Sequence, residues 1–392
     1  MERIYLDNNA TTMVDPRVRD AMDPFILDMY GNPNSLHTFG SEARSHLHIA
    51  MDRLYTGIHA DDDDDILVNG CATEGNNTVL KSVYYDYIMK GPRTQIITTQ
   101  VEHPCIRNTC QFLEGLGVEV IYLPVNEEGI VDEAILAAHI HPDKTALVSI
   151  MWANNETGLL FPVKQLAEIT KNNGALFHTD AVQAIGKVPV SVKDVPVDFL
   201  TFSAHKFHGP KGVGGLYVRQ GLSFTPLLHG GEQMGGKRAG TVNVSGSVGM
   251  GLAMELAVHS LTYEEQEVRR LRDLLEDAIL ALPDTLVVGK KTLRTPNTIL
   301  ASFRGIEGEA LLWDLNQYGI AASTGSACAS ESLEENPTFT AMKLDKELAH
   351  TGIRFSLSRF TTQHEIESTI RILNKSVERL RNISSSYHQR KS

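Results

Sequence analysis

The stretch VDFLTFSAHKFHGPKG, residues 197–212, begins as a short apolar run of strand character and then turns abruptly polar. Ser203, His205 and Lys206 follow directly on the strand, while Lys211 sits in GPKGVGG, which reads as a turn leading into the next strand. A strand that ends in Ser-Ala-His-Lys delivers polar groups to one place. The same arrangement recurs upstream. ILVNG (66–70) precedes a helical pattern over 74–89, and TQIITTQ (94–100) precedes another over 104–116. VEVIYLPV, TALVSIMWA, GALFHTD and GGLYVRQ continue the series, mostly separated by helical stretches. Short two-sided apolar strands alternating with amphipathic helices predict an α/β fold: a mostly parallel central sheet with helices on both faces.

In such sheets ligands bind beyond the carboxyl ends of the strands. Strand 66–69 is followed by GCATEGNN, strand 95–99 by Glu102-His103, and strand 145–151 by ANNETG. Strand 175–179 is followed by Asp180 and Gln183, and strand 198–202 by Ser203, His205 and Lys206. One polar strand end is ordinary loop composition; five at one edge predict a site.

Composition limits what that site serves. The chain has 392 residues, 42% of them hydrophobic, and a formal net charge of −12, which disfavours nonspecific binding to nucleic acid or anionic lipid. The longest apolar candidate, VGMGLAMELAV (248–258), is too short to span a bilayer and carries Glu255. MERIYLDNN reads as a strand with early charges rather than a signal peptide. Cys71, Cys105, Cys110 and Cys328 show neither CxxC pairing nor metal-finger spacing, so the chain reads as a protein of a reducing cytoplasm. The aspartate run at 61–65 leads straight into a strand and reads as a solvated turn.

Three strand-end features belong to one chemistry. NGCATEGNN brings backbone N–H groups and the Thr73 hydroxyl to a helix start, which suits an anion, although a plain helix cap by Thr73 explains it about as well. Asp180 suits a ring nitrogen that must stay protonated; a helix N-cap is its bland alternative. Lys206 supplies an amine. An anion site, a carboxylate for a heterocyclic nitrogen and a lysine for covalent attachment are together what pyridoxal phosphate requires.

On YLDNNATT (5–12), YGNPNSLHTFG, CATEGNN, EHP, ANNETG, HTDAVQ, SAHKFHGPKG, RAGTVN and STGSACAS, the chain resembles the cysteine desulfurases of the NifS/IscS type. These are fold-type-I pyridoxal-phosphate enzymes of the class V aminotransferase family, and the likeness runs over essentially the whole chain. The resemblance implies that Lys206 holds the cofactor, Asp180 pairs with its pyridine nitrogen, and His103 stacks on the ring as acid or base. It implies that Asn155 and Gln183 contact the ring side, with Gln183 near the phenolic oxygen. Ala72, Thr73, Ser203 and His205 would bind the phosphate. Thr241 would reach the phosphate of a neighbouring subunit, which makes the protein a homodimer, and Arg354 would clamp the substrate carboxylate with Asn155 nearby. Two departures stand out: RAGT (238–241) where the family usually has RSGT, and Gly75 where it often has Ser.

Cys328 lies among small and polar residues in AASTGSACASESLEENPTF (321–339), whereas Cys105 and Cys110 fall on a helical pattern and Cys71 on the cofactor loop. Free cysteines are usually buried and inert, so Cys328 is the candidate nucleophile on a loop expected to be mobile. The resemblance implies conversion of L-cysteine to L-alanine with a persulfide on Cys328. From there the sulfur passes to an iron–sulfur scaffold or other acceptor protein, with Cys328 touching a nascent cluster through that persulfide. The alternative is another fold-type-I enzyme, an aminotransferase or kynureninase-like hydrolase, which shares the cofactor residues without needing Cys328. The expected organisation is a large cofactor domain over 15–258 and a smaller α/β domain over 259–392, with residues 1–14 packing against the latter. In the helical pattern at 263–282, Leu271, Leu274, Leu275 and Ile279 are the expected core residues.

Overall fold

The computed structural model describes residues 3–126, 128–324, 337–344, 350–385 and 387. Cys328, and with it every expectation about the loop that carries it, lies outside the described residues.

Chain order gives β1 (Ile4–Tyr5), β2 (Asp65–Asn69), β3 (Gln95–Thr99), β4 (Glu119–Leu123), β5 (Thr145–Ser149), β6 (Leu176–Asp180), β7 (Phe199–Ser203) and β8 (Gly214–Val218). After these come β9 (Thr285–Val287), β10 (Thr298–Phe303), β11 (Ile320–Ala321), β12 (Ser323–Thr324) and β13 (Gly352–Ser356). The central sheet has the order β2-β8-β7-β6-β5-β3-β4. Only β8 runs against the rest, pairing antiparallel with both β2 and β7. The mostly parallel sheet read from the sequence is therefore present, and its helices cover both faces.

The strand sequences explain that coverage. Ile66 and Val68 of β2 face one core while Leu67 faces the other, and Ile97 against Ile96, Val148 against Leu147 and Leu200 against Phe199 repeat the split. Helices Thr38–Ile58 and Val244–His259 close the first core with Leu54, Ile58, Met250 and Met254. Helices Ala72–Val83 and Pro104–Glu114 close the second with Val79, Leu80, Ile106 and Leu113. Each fully buried aliphatic side chain of this kind contributes about 1.5–3 kcal/mol relative to exposure. Gly75 has a packing reason here. A Cβ at that position would meet Asn69 Nδ2 and Thr201 Cγ2 at 3.0 Å, so its absence lets the helix lie close on β2 and β7.

A second, antiparallel sheet in the order β12-β13-β10-β9 has its own core, to which Ile4 and Leu6 contribute as β1 pairs with β11. Leu271, Leu275 and Ile279 lie in that core, spaced one turn apart on the helix Arg269–Leu280. Leu274 does not. It is 37% exposed, because the buried stripe follows the four-residue spacing and leaves Leu274 on its flank. Among the described residues no helix is long and apolar enough to cross a membrane.

Candidate active site

The carboxyl ends of β2, β3, β5, β6 and β7 open on one cavity of about 340 Å³. Ala72, Thr73, His103, Asn155, Asp180, Gln183, Ser203, His205, Lys206 and Arg354 all line it. Ten side chains between residues 72 and 354 are thus brought together: strands of the central sheet deliver nine of them to the same edge, and Arg354 comes from β13 of the second sheet.

At one end the helix Ala72–Val83 begins with Cys71 as N-cap, and no side chain caps it. Thr73 is therefore inside the first turn, and the plain-cap alternative for its hydroxyl does not hold. The helix start keeps its backbone N–H groups for an anion. Ser203 at the end of β7 adds a buried Oγ without a partner among the described residues. His205 follows, with Nδ1 3.1 Å from Thr11 Oγ1 and a pKa lowered to about 4, chiefly by burial and then by the Lys206 charge. It is neutral at pH 7.

Asp180 ends β6. One carboxylate oxygen accepts from the Val182 N–H at 3.0 Å, as a turn cap would, and the other accepts from Asn76 Nδ2 at 2.7 Å. Asn76 is fully buried and held in turn by Thr201 Oγ1 at 2.5 Å. Asp180 is thus oriented from behind as well as capping its turn. Lys206 sits on the short 3-10 turn Ala204–Lys206, with Nζ donating to the carbonyls of Asn9 at 2.6 Å and Ala10 at 2.9 Å.

His103 is the N-cap of the helix Pro104–Glu114, its Nδ1 accepting from the Cys105 N–H at 3.2 Å. That acceptor role puts the proton of the neutral ring on Nε2. Burial pushes the His103 pKa down; Asp180 pulls it up and Lys206 pushes it further down. Arg354 lies on β13, donating from Nη1 to the Asn155 carbonyl at 3.0 Å and from Nη2 to Asp7 at 2.8 Å. Its Nε is buried without a partner among the described residues.

Thr241 is not in this cavity. It is exposed and lines a separate one of about 190 Å³ with Arg238 and Gly70. Arg238 ties that segment to the first turn of the helix Ala72–Val83, with Nε 2.9 Å from Glu74 Oε1. Of the cysteines, Cys71 and Cys105 line the main cavity and Cys110 is buried. Burial pushes the Cys105 and Cys110 thiols up to about 12, so both stay protonated and unreactive at neutral pH.

Several residues that build the site had no role legible in the sequence. Asn76 and Asn9 stood in quoted motifs without a role, and Lys187 stood in no motif. Glu102 is 3% exposed and accepts from the Met151 N–H at 2.9 Å and Thr99 Oγ1 at 3.0 Å, joining the loops after β3 and β5. Burial raises its pKa from 4.5 to about 8, which leaves it a neutral acid at pH 7. The unfolded chain ionises from pH 4.5 upward while the folded chain does not. Stability is therefore lost as pH rises from 4.5 through 8, by at most about 1.4 kcal/mol per pH unit. Glu102→Gln removes that loss, so thermal melts should show the variant gaining on the wild type across this window.

A model of the family "Aminotransferase class-V" matches residues 4–368. The chain belongs to this family. Among its class-V relatives, a cysteine desulfurase of Trichormus azollae is 47% identical over 385 residues, 98% of this chain and 95% of the relative. The cysteine desulfurase NifS of Azotobacter vinelandii is 45% identical over 385 residues, with 98% and 95% covered. A solved NifS-like protein superposes with a TM-score of 0.89 at 39% identity, covering 97% of this chain and 99% of that one. The resemblance read from the motifs is thereby borne out.

The described residues also fit the pyridoxal phosphate on which class-V enzymes depend. The uncapped helix start and the unpartnered Ser203 hydroxyl suit a phosphate, buried Asp180 suits a protonated ring nitrogen, and Lys206 places an amine within the same cavity.

Proposed function

We propose that the protein is a pyridoxal-phosphate-dependent cysteine desulfurase that converts L-cysteine to L-alanine and retains the sulfur as a persulfide on Cys328. The carrying observation is that Lys206, Asp180, His103 and Arg354 line one cavity in a chain whose class-V relatives are cysteine desulfurases. Bound there, the cofactor supplies an electron sink that acidifies the substrate Cα–H and makes the substrate sulfur labile.

The chain's residues do the rest. Arg354 holds the substrate carboxylate; the unpartnered Nε and the Asn155 carbonyl on Nη1 support a guanidinium already oriented for that contact. Ala72, Thr73, Ser203 and His205 would hold the phosphate, and Asp180, fixed by Asn76, would keep the ring nitrogen protonated. Lys206 would attach the cofactor and would take the substrate Cα proton. His103 would lie against the ring and move a proton from Nε2. The Cys328 thiolate attacks the substrate sulfur: an S–S bond forms, the Cβ–S bond breaks, and its electron pair stays on carbon. Carbon then takes up the proton that the Cys328 thiol gave, so one cysteine yields one alanine and one persulfide. The outer sulfur passes to an acceptor thiol or a nascent iron–sulfur cluster.

Asp180→Asn tests the ring-nitrogen role. An amide cannot balance a pyridinium charge, so the variant should retain cofactor but lose about 10²-fold or more in alanine formation. Near-wild-type turnover would leave Asp180 as a turn cap only.

The exposed position of Thr241, outside the cavity of its own protomer, supports its serving a neighbouring one across a homodimer. Sedimentation should give a dimer; a fully active monomer would remove Thr241 from the phosphate site. The division into domains at 15–258 and 259–392 is part of the same proposal, supported by the separate core that Ile4 and Leu6 join.

A further inference from the structure

Lys187 is buried and takes no part in the steps above. Its Nζ donates to Gln183 Oε1 and, at 3.3 Å, to Asn9 Oδ1. The Asn9 carbonyl can only accept, so Gln183 keeps its NH₂ on that side and turns its carbonyl oxygen toward Lys187 Nζ, which donates to it. The Asn9 side chain is fixed by the same logic. Its Oδ1 also accepts from Asn297 Nδ2 at 3.1 Å, and its own Nδ2 donates to Thr298 Oγ1 at 2.9 Å.

Gln183 Nε2 gives one hydrogen to the Asn9 carbonyl at 3.0 Å, the oxygen to which Lys206 Nζ donates at 2.6 Å. The amide NH₂ thus sits beside the amine that attaches the cofactor. The second hydrogen on Nε2 has no acceptor among the described residues, and Gln183 lines the cavity. In pyridoxal phosphate the phenolic oxygen is on the ring carbon next to the one bearing the aldehyde, so a donor beside the attaching amine lies close to it.

We infer that Lys187 is a positioning residue that fixes the orientation of the Gln183 amide, so that Gln183 offers N–H rather than oxygen to the phenolic oxygen of the bound cofactor. The inference rests on the reading that this cavity holds pyridoxal phosphate on Lys206. Without Lys187 only the Asn9 carbonyl still orients the amide, and the amide oxygen, its donor lost, can swing toward the cofactor's anionic oxygen. A donor at that oxygen favours the deprotonated form of the attached cofactor, so its loss makes the proton harder to remove.

The test uses purified holoenzyme and the pH midpoint of the cofactor's visible-absorbance transition. K187M and Q183A should each raise the midpoint by about one pH unit. The double variant should move no further than Q183A alone, because Lys187 acts through Gln183. Additive shifts, or an unmoved midpoint in K187M, overturn the inference. Should K187M not fold, a neutron structure of the wild-type holoenzyme decides: deuterium on the Gln183 atom facing the cofactor supports the assignment, and a bare oxygen there overturns it. Wild-type protein that binds no pyridoxal phosphate would instead overturn the reading of the cavity itself, an outcome visible before any variant is made.

Discussion

Lys206→Ala is expected to lower alanine formation from L-cysteine by at least about 10³-fold, since it removes both the attachment of the cofactor and the base for the Cα proton. The geometry makes the assignment specific. Lys206 Nζ lies against the Asn9 and Ala10 carbonyls inside the cavity that also holds Asp180 and His103, whereas Lys211 is exposed past the turn. Lys211→Ala should therefore leave turnover within about 3-fold of wild type, because exposed surface changes cost little. Borohydride reduction followed by peptide mapping checks the same point without a rate: the pyridoxyl group should be on Lys206. Finding it on Lys211 would reverse the assignment.

Cys328→Ser is expected to be as damaging to turnover for a different reason. The variant should bind cofactor and L-cysteine normally, because none of the described residues that line the cavity changes. It should form alanine at least about 10³-fold more slowly, since a hydroxyl is a poor nucleophile toward sulfur and stays protonated at neutral pH. Cys105 and Cys110 are not placed to take over. Cys105, although it lines the cavity, is held as a thiol by burial with a pKa near 12, and Cys110 is buried with the same shift. A Cys328→Ser enzyme that makes alanine at the wild-type rate would mean that the nucleophile lies elsewhere.

The central strands were legible because each is a run of alternating but two-sided apolar residues, and β2, β3, β5, β6 and β7 end where the polar loops begin. That same pattern exposed the cavity residues, since a parallel sheet turns sequence position after a strand into spatial position at an edge. What stayed hidden depends on contacts between distant segments. Asn76 reaches Asp180 across 104 residues, and Lys187 reaches Asn9 across 178. No local period marks either pairing. Leu274 was misread for the converse reason: helical spacing admits either i+3 or i+4 neighbours of Leu271, and only the packing against β10 and the last helix selects the latter. Glu102 was visible as a strand-end acid, but its neutral state follows from burial that no short motif encodes.

The most direct test of the account is a single turnover with L-cysteine and no acceptor, followed by mass analysis of the intact protein and its peptides alongside quantification of amino-acid products. The account predicts one alanine per active site and a mass gain of one sulfur atom on the peptide containing Cys328, with no amino group transferred to an added keto acid. Transamination of that keto acid, with every cysteine peptide unchanged in mass, would contradict it.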